Sequence, residues 1–200
     1  MCRIYFFILG RKNKYFLNVY STAIYAIIAI EKIIYMDREV ENMLKIYLDN
    51  CCYNRPFDDR SNIKNYLERE AVLIIMQLAF DNHVIIIGSD IIQKEMAMIS
   101  NLEKRKNVET LYHELAAKEI KVNEEIIRRA ETIMAHSTIK AFDSLHLASA
   151  ETEADILLTT DKKFLKSAGR METKLKISNP IDFLMEVMEN DDNNSFKNRE

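Results

Sequence analysis

The sequence predicts an α/β fold, a three-layer α/β/α sandwich built on a mainly parallel central sheet. Three observations carry that expectation. Short apolar runs alternate with longer stretches of helical periodicity, which calls for crossover connections and parallel strands. One run, Val84-Ile85-Ile86-Ile87, is β-branched and continuously apolar, as a strand buried on both faces is. Only 3 Gly and 2 Pro punctuate 200 residues, which disfavours a turn-rich all-β fold or a glycine-rich phosphate cradle.

The regular pattern starts at residue 43. Leu44-Lys45-Ile46-Tyr47-Leu48 reads as the first strand and ends in Asp49; the polar Asn54-Arg55-Pro56-Phe57-Asp58-Asp59 that follows is turn-like. Residues 61–80 read as a helix with Ser61 as N-cap. Ile63, Leu67, Ala71, Ile74, Ile75 and Leu78 fall on one face at the 3.6 period. Val72, Leu73 and Ala79 widen that face, so the second half is expected to be well buried. After the strand at 84–87, Gly88-Ser89-Asp90 breaks the run and caps a helix expected to reach residue 101. A helix over 108–117, an extended piece near 120–122 and a helix from 123 to 136 come next. Glu124 and Glu125 suit the positive end of the last. Asp143 opens a helix running to 152. Asp155-Ile156-Leu157-Leu158-Thr159-Thr160 reads as another buried strand, followed directly by Asp161. A last strand at 174–177, a stop at Asn179-Pro180 and a closing helix at 181–188 complete one domain over 43–190. The polar tail, 191–200, reads as disordered.

Residues 1–42 stand apart from this pattern. The stretch VYSTAIYAIIAIEKIIY (19–35) is apolar but interrupted by Glu31 and Lys32, and its clean run is far below the roughly 20 residues of a membrane span. Arg11, Lys12 and Lys14 before an apolar run mimic a signal peptide, yet no small-residue cleavage site follows. The segment reads as an added amphipathic helix or as an upstream extension of the reading frame. The cysteines are Cys2, Cys51 and Cys52; with no CxxC spacing they read as reduced thiols of a cytoplasmic protein. Charged residues make up 30% of the chain but the net charge is only −3, so binding to a polyanion must use local Lys and Arg or bound cations.

Open parallel sheets bind ligands at the carboxyl ends of their strands. Asp49 ends the first strand, Glu95 lies in the helix after the second, and Asp161 follows a later strand. Asp143 opens a helix whose preceding loop would reach the same edge. Each acid taken alone is as readily a surface carboxylate or, for Asp143 and Asp161, an N-cap. Gathered in one cleft, they would repel and raise one another's pKa unless a cation neutralised them. Mg²⁺ or Mn²⁺ accepts such oxygens and keeps positions open for water and phosphate. The residues by themselves point to metal-assisted phosphate chemistry.

At these residues the sequence resembles the PIN-domain family, over nearly all of 43–187. KIYLDNCCYNRPFDD resembles the family's first strand and acid, and SDIIQKEM its mid-chain glutamate, although Asp90 and Glu103 stand close to Glu95. AFDSLHLASAETEADILLTTDKKFL is the most specific stretch, and NPIDFL resembles the closing segment. The resemblance, closest to the toxin-like, VapC-type branch, implies a nuclease that cuts single-stranded or structured RNA using Mg²⁺ or Mn²⁺. Carried over, Asp49, Glu95, Asp143 and Asp161 would hold the metal; water would attack phosphorus, leaving a 5′-phosphate and a 3′-hydroxyl. Thr160 would support the site. Many bacterial members are toxins held inactive by a small antitoxin protein, and a homodimer fits the family. The chain departs from the pattern at Asn50, where the family often has Thr or Ser; Asn50 can still hydrogen-bond a water or phosphate. Residues 1–42 have no counterpart.

Other signals weigh less. His146 shares a helix face with Asp143 and reads as packing at the helix–sheet interface rather than as a base. Arg55, Lys162 and Lys163 flank the expected cleft and would meet RNA phosphates. Asp58 and Asp59 read as turn residues before auxiliary ligands. An aspartyl-phosphate phosphatase would want an Asp where Cys51 stands. A phospho-receiver would leave Asp143 and Asp161 unexplained. A catalytically silent PIN-like RNA-binding or regulatory module is the remaining alternative, and the presence of all four acids argues against it.

Overall fold

The computed structural model describes residues 43–59 and 61–197; the readings for 1–42 lie outside them. Strand β1 (Lys45–Leu48) is followed by a short helix α1 (Asn50–Asn54), a 3₁₀ turn (Arg55–Phe57) and the long helix α2 (Ile63–Phe80). Next come β2 (Ile85–Ser89), α3 (Asp90–Ala97), α4 (Leu102–Leu115), β3 (Ala116–Ile120), α5 (Glu124–His136) and α6 (Ala141–Glu153). The chain closes with β4 (Ile156–Leu158), α7 (Lys162–Ala168), β5 (Lys176–Ser178) and α8 (Pro180–Lys197).

The five strands form one sheet in the order β3-β2-β1-β4-β5, and every pairing is parallel. The α/β expectation therefore holds. Parallel pairing buries the middle strands on both faces, so Ile46, Tyr47, Leu48, Ile86, Leu157 and Leu158 are all essentially inaccessible. With the right-handed crossovers that parallel units adopt, the steps β1→β2→β3 and β3→β4→β5 run in opposite directions and place their helices on opposite faces. α8 packs on α2, and α5 packs on α6, which itself touches β2 and β4. The order reverses next to β1, and a parallel sheet leaves its ligand crevice at such a point.

Several local expectations are corrected. The cap of α2 is Asn62, whose side chain accepts from the Lys64 backbone N–H at 2.8 Å; Ser61 instead bonds Asp59. The apolar face of α2 begins late. Ile63 and Leu67 are exposed, while Glu68 and Arg69 are buried. The reason is a polar network under the first turns. The Glu68 carboxylate meets Lys64 at 2.6 Å, Arg55 at 3.1 Å and the Asn179 amide at 3.0 Å.

The helix after β2 stops at Ala97, with α4 starting from its Asn101 cap, and β3 lies at 116–120 rather than 120–122. Lys140 rather than Asp143 occupies the cap position of α6, so Asp143 lies in the first turn. The stop at Asn179-Pro180 falls between β5 and α8, with Pro180 itself at the first helical position. The backbone of α8 continues to Lys197, through most of the segment read as a disordered tail; no Gly or Pro interrupts 181–197.

Candidate metal centre

Asp49 leaves β1 at the carboxyl edge and is buried, at 5% exposure. Its backbone N–H donates to Leu158 O across the sheet at 3.0 Å. One carboxylate oxygen, Oδ2, accepts from Thr159 Oγ1 at 2.6 Å and from Cys51 Sγ at 3.1 Å. The other, Oδ1, lies 3.8 Å from His146 Nε2. The carboxylate is thus clamped through one oxygen and offers the other to the cleft.

Glu95 stands on α3, whose cap is Ser89, and α3 touches α6. The Glu95 Oε2 atom lies 2.8 Å from His146 Nε2. Single ligand atoms of Asp49, Glu95 and His146 all lie within 4.8 Å of one another. His146 is fully buried, and its Nδ1 faces the Tyr47 hydroxyl of β1 at 2.8 Å. Burial lowers the His146 pKa, but the Glu95 hydrogen bond and the charges of Asp49, Glu95 and Asp143 outweigh it, and the net shift is upward.

Asp143 makes no hydrogen bond or ion pair among the described residues, although it is only partly exposed. Burial is the main reason its carboxyl is pushed up to about 6; Asp49 and Asp161 add to the rise, His146 opposes it, and Glu95 adds least. Asp143 therefore feels the charge of Asp49, Asp161 and Glu95, while the close group of ligand atoms is Asp49, Glu95 and His146. Asp161 caps α7: its Oδ1 accepts from Lys163 N at 2.7 Å and Phe164 N at 3.1 Å. The capping reading is thus realised, and it leaves Oδ2 without a hydrogen bond among the described residues.

The donor set suits a hard divalent cation. Asp49 and Glu95 bring carboxylate oxygens within 4.8 Å of each other beside His146, whereas Asp143 and Asp161 lie outside that close group and Asp143 feels the other carboxylates through charge, with no counter-ion bonded to it among the described residues. The nearby imidazole is bonded at both nitrogens, to Tyr47 and to Glu95.

The supporting residues differ from those the sequence suggested. Thr159 rather than Thr160 bonds the Asp49 carboxylate; Thr160 Oγ1 accepts from Arg55 at 2.7 Å. Asn50 bonds Asn54 at 3.1 Å. Thr159, Cys51 and Tyr47 escaped sequence reasoning, because each acts through another side chain rather than by a charge of its own. His146 does pack at the helix–sheet interface, and in doing so it meets two of the acids. Of the neighbours of Glu95, Asp90 accepts from Val122 N at 3.2 Å, and Glu103 lines a separate polar recess with Asp58 and Lys104. Asp58 pairs with Arg55 at 3.0 Å and Lys104 at 2.9 Å, and Asp59 accepts from Ser61 N at 3.0 Å, so both are turn residues. Arg55 is held by Asp58, Glu68 and Thr160, whereas Lys162 and Lys163 are exposed beside Asp161. Among the described residues no helix is long and apolar enough to cross a membrane.

No curated protein matches the chain. Among solved structures, the crystal structure of FitAcB from Neisseria gonorrhoeae aligns at 19% identity with a TM-score of 0.48, covering 68% of this chain and 97% of that one. That likeness is too distant to bear on activity or partner. The sequence model of the PIN domain matches residues 46–170, more than half of the chain, from within β1 to just past α7. That match, on a chain folded as a parallel α/β sheet, makes the chain a member of the PIN-domain family.

Proposed function

We propose that this protein is a Mg²⁺- or Mn²⁺-dependent endoribonuclease, the toxin of a toxin–antitoxin pair, with Asp49, Glu95, Asp143 and Asp161 holding the metal. PIN domains are generally nucleases that use divalent ions. The observation that carries the reading is the convergence of Asp49 and Glu95, with ligand atoms within 4.8 Å of each other beside His146, at the crevice of a parallel sheet. A divalent ion bound there supplies positive charge for the phosphoryl group and makes water a better nucleophile at neutral pH.

The chain's own residues prepare that chemistry. Thr159 and Cys51 fix Asp49 so that one oxygen faces the cleft. The first turn of α7 fixes Asp161 in the same way. Lys162 and Lys163, exposed on that turn, offer charge to backbone phosphates, which positions RNA without reading its sequence. The antitoxin, a small protein, rests on the family resemblance alone.

Purified protein should cut single-stranded RNA with Mn²⁺ or Mg²⁺ and leave 5′-phosphate and 3′-hydroxyl ends. EDTA should stop it, and a rate unchanged in EDTA would overturn the mechanism. A short reading frame beside this gene whose product co-purifies with the protein and stops cleavage would support the toxin role; a solitary gene would favour a free-standing nuclease.

A further inference from the structure

We infer that His146 is a positioning residue that holds Glu95 ready for a cation, through a relay of hydrogen bonds that begins at the cap of Glu95's own helix. The inference rests on the metal-centre reading above and adds a residue that the reading does not need. The Ile92 backbone N–H donates to Ser89 Oγ at 3.3 Å, and Ser89 Oγ lies 2.6 Å from the Tyr47 hydroxyl. Tyr47 lies 2.8 Å from His146 Nδ1, and His146 Nε2 lies 2.8 Å from Glu95 Oε2.

One placement of protons satisfies every group. Ser89 donates to Tyr47, Tyr47 donates to Nδ1, and Nε2–H donates to the carboxylate. With Nδ1 accepting, Nε2 carries its proton toward Glu95.

The purpose follows from the charges. Glu95 sits near Asp49 and Asp143, and a flexible glutamate repelled by both would turn out to water. His146 has no such freedom. It is fully buried, bonded at both nitrogens and set edge-on to the Tyr47 ring at 5.8 Å. The relay also closes on itself. Ser89 caps α3 and Glu95 rides six residues further along the same helix, so β1, α3 and α6 are locked where the ligands converge. Groups that hold a metal ligand in this way typically carry about 10–100-fold in metal affinity.

The test is Mn²⁺ binding by the full chain, read from the electron paramagnetic resonance of free Mn²⁺. His146→Leu should weaken binding about tenfold or more. His146→Gln, whose amide nitrogen can replace Nε2 as donor, should keep most of the affinity. Tyr47→Phe removes only the hydroxyl and should fall between them. In a Glu95→Gln background, His146→Leu should add no further loss. Wild-type affinity in folded His146→Leu and Tyr47→Phe would overturn the inference, as would an equal loss in the Glu95→Gln background. Should His146→Leu not fold, Tyr47→Phe and His146→Gln decide alone. A wild-type chain that binds Mn²⁺ and cuts RNA while Tyr47→Phe binds equally well sinks this inference only. A wild-type chain that neither binds nor cuts sinks the metal centre and this inference with it.

Discussion

At the scale of single residues, Asp143 is a place where the metal-free chain gives up stability as pH rises. Asp143 has its pKa raised to about 6, so its charged form is disfavoured in the folded, metal-free chain. For a carboxyl raised in this way, the stabilising contribution is complete below the unfolded value and disappears as pH rises through about 6. Asp143→Asn removes that dependence. The metal-free variant should melt about 3 °C higher than wild type at pH 8, with a smaller gain at pH 4, by calorimetry. The same variant should lose RNA cleavage while keeping its far-ultraviolet circular dichroism; normal cutting would displace Asp143 from the site. A charged residue of this kind can at least be nominated from a sequence, because its position near a strand end or helix start is legible. Thr159 and Cys51 are not, since one Thr or Cys looks like any other until it is seen bonded to Asp49.

At the scale of elements, the first half of α2 shows how a period can mislead. Ile63 and Leu67 fit the apolar stripe, but the helix turns Glu68 inward to meet Arg55, Lys64 and Asn179. Removing one member of such a buried set leaves the others uncompensated, so Glu68→Ala should cost about 3 kcal/mol in urea unfolding. Lys64→Ala, at a side chain 39% exposed, should cost less than about 1 kcal/mol.

Strand β2 has its own tight point. A Cβ on Gly88 would come within 2.3 Å of the Tyr112 hydroxyl, and Tyr112 is buried with its hydroxyl donating to Ser89 O at 3.2 Å. Gly88→Ala should therefore destabilise by about 1–3 kcal/mol. Its effect should shrink in a Tyr112→Leu background, because the two sites share one space.

At the scale of the whole molecule, charge decides how a polyanion could bind at all. The chain carries a net −3 and sets carboxylates at its crevice, so a polyanion would meet repulsion there unless cations intervene. RNA binding measured by fluorescence anisotropy should be at least about tenfold tighter with Ca²⁺, which permits binding without fast cleavage, than in EDTA. Equal affinity in both would move the RNA surface away from the acids.

The sequence by itself determined the class of fold and the approximate elements, and it offered four acids as candidates. The fold follows from local chemistry: apolar runs of strand length and helical periodicity. Tertiary structure alone decided the order β3-β2-β1-β4-β5 and the late burial of α2. It also decided the clamp on Asp49 and the relay from Ser89 through Tyr47 and His146 to Glu95. Those partners lie 110, 42, 99 and 51 residues apart, beyond the reach of any period or spacing. Their hydrogen bonds exist because the sheet and helices first bring the groups out of water, where an unpaired polar atom is costly. Once buried there, each has to find a partner.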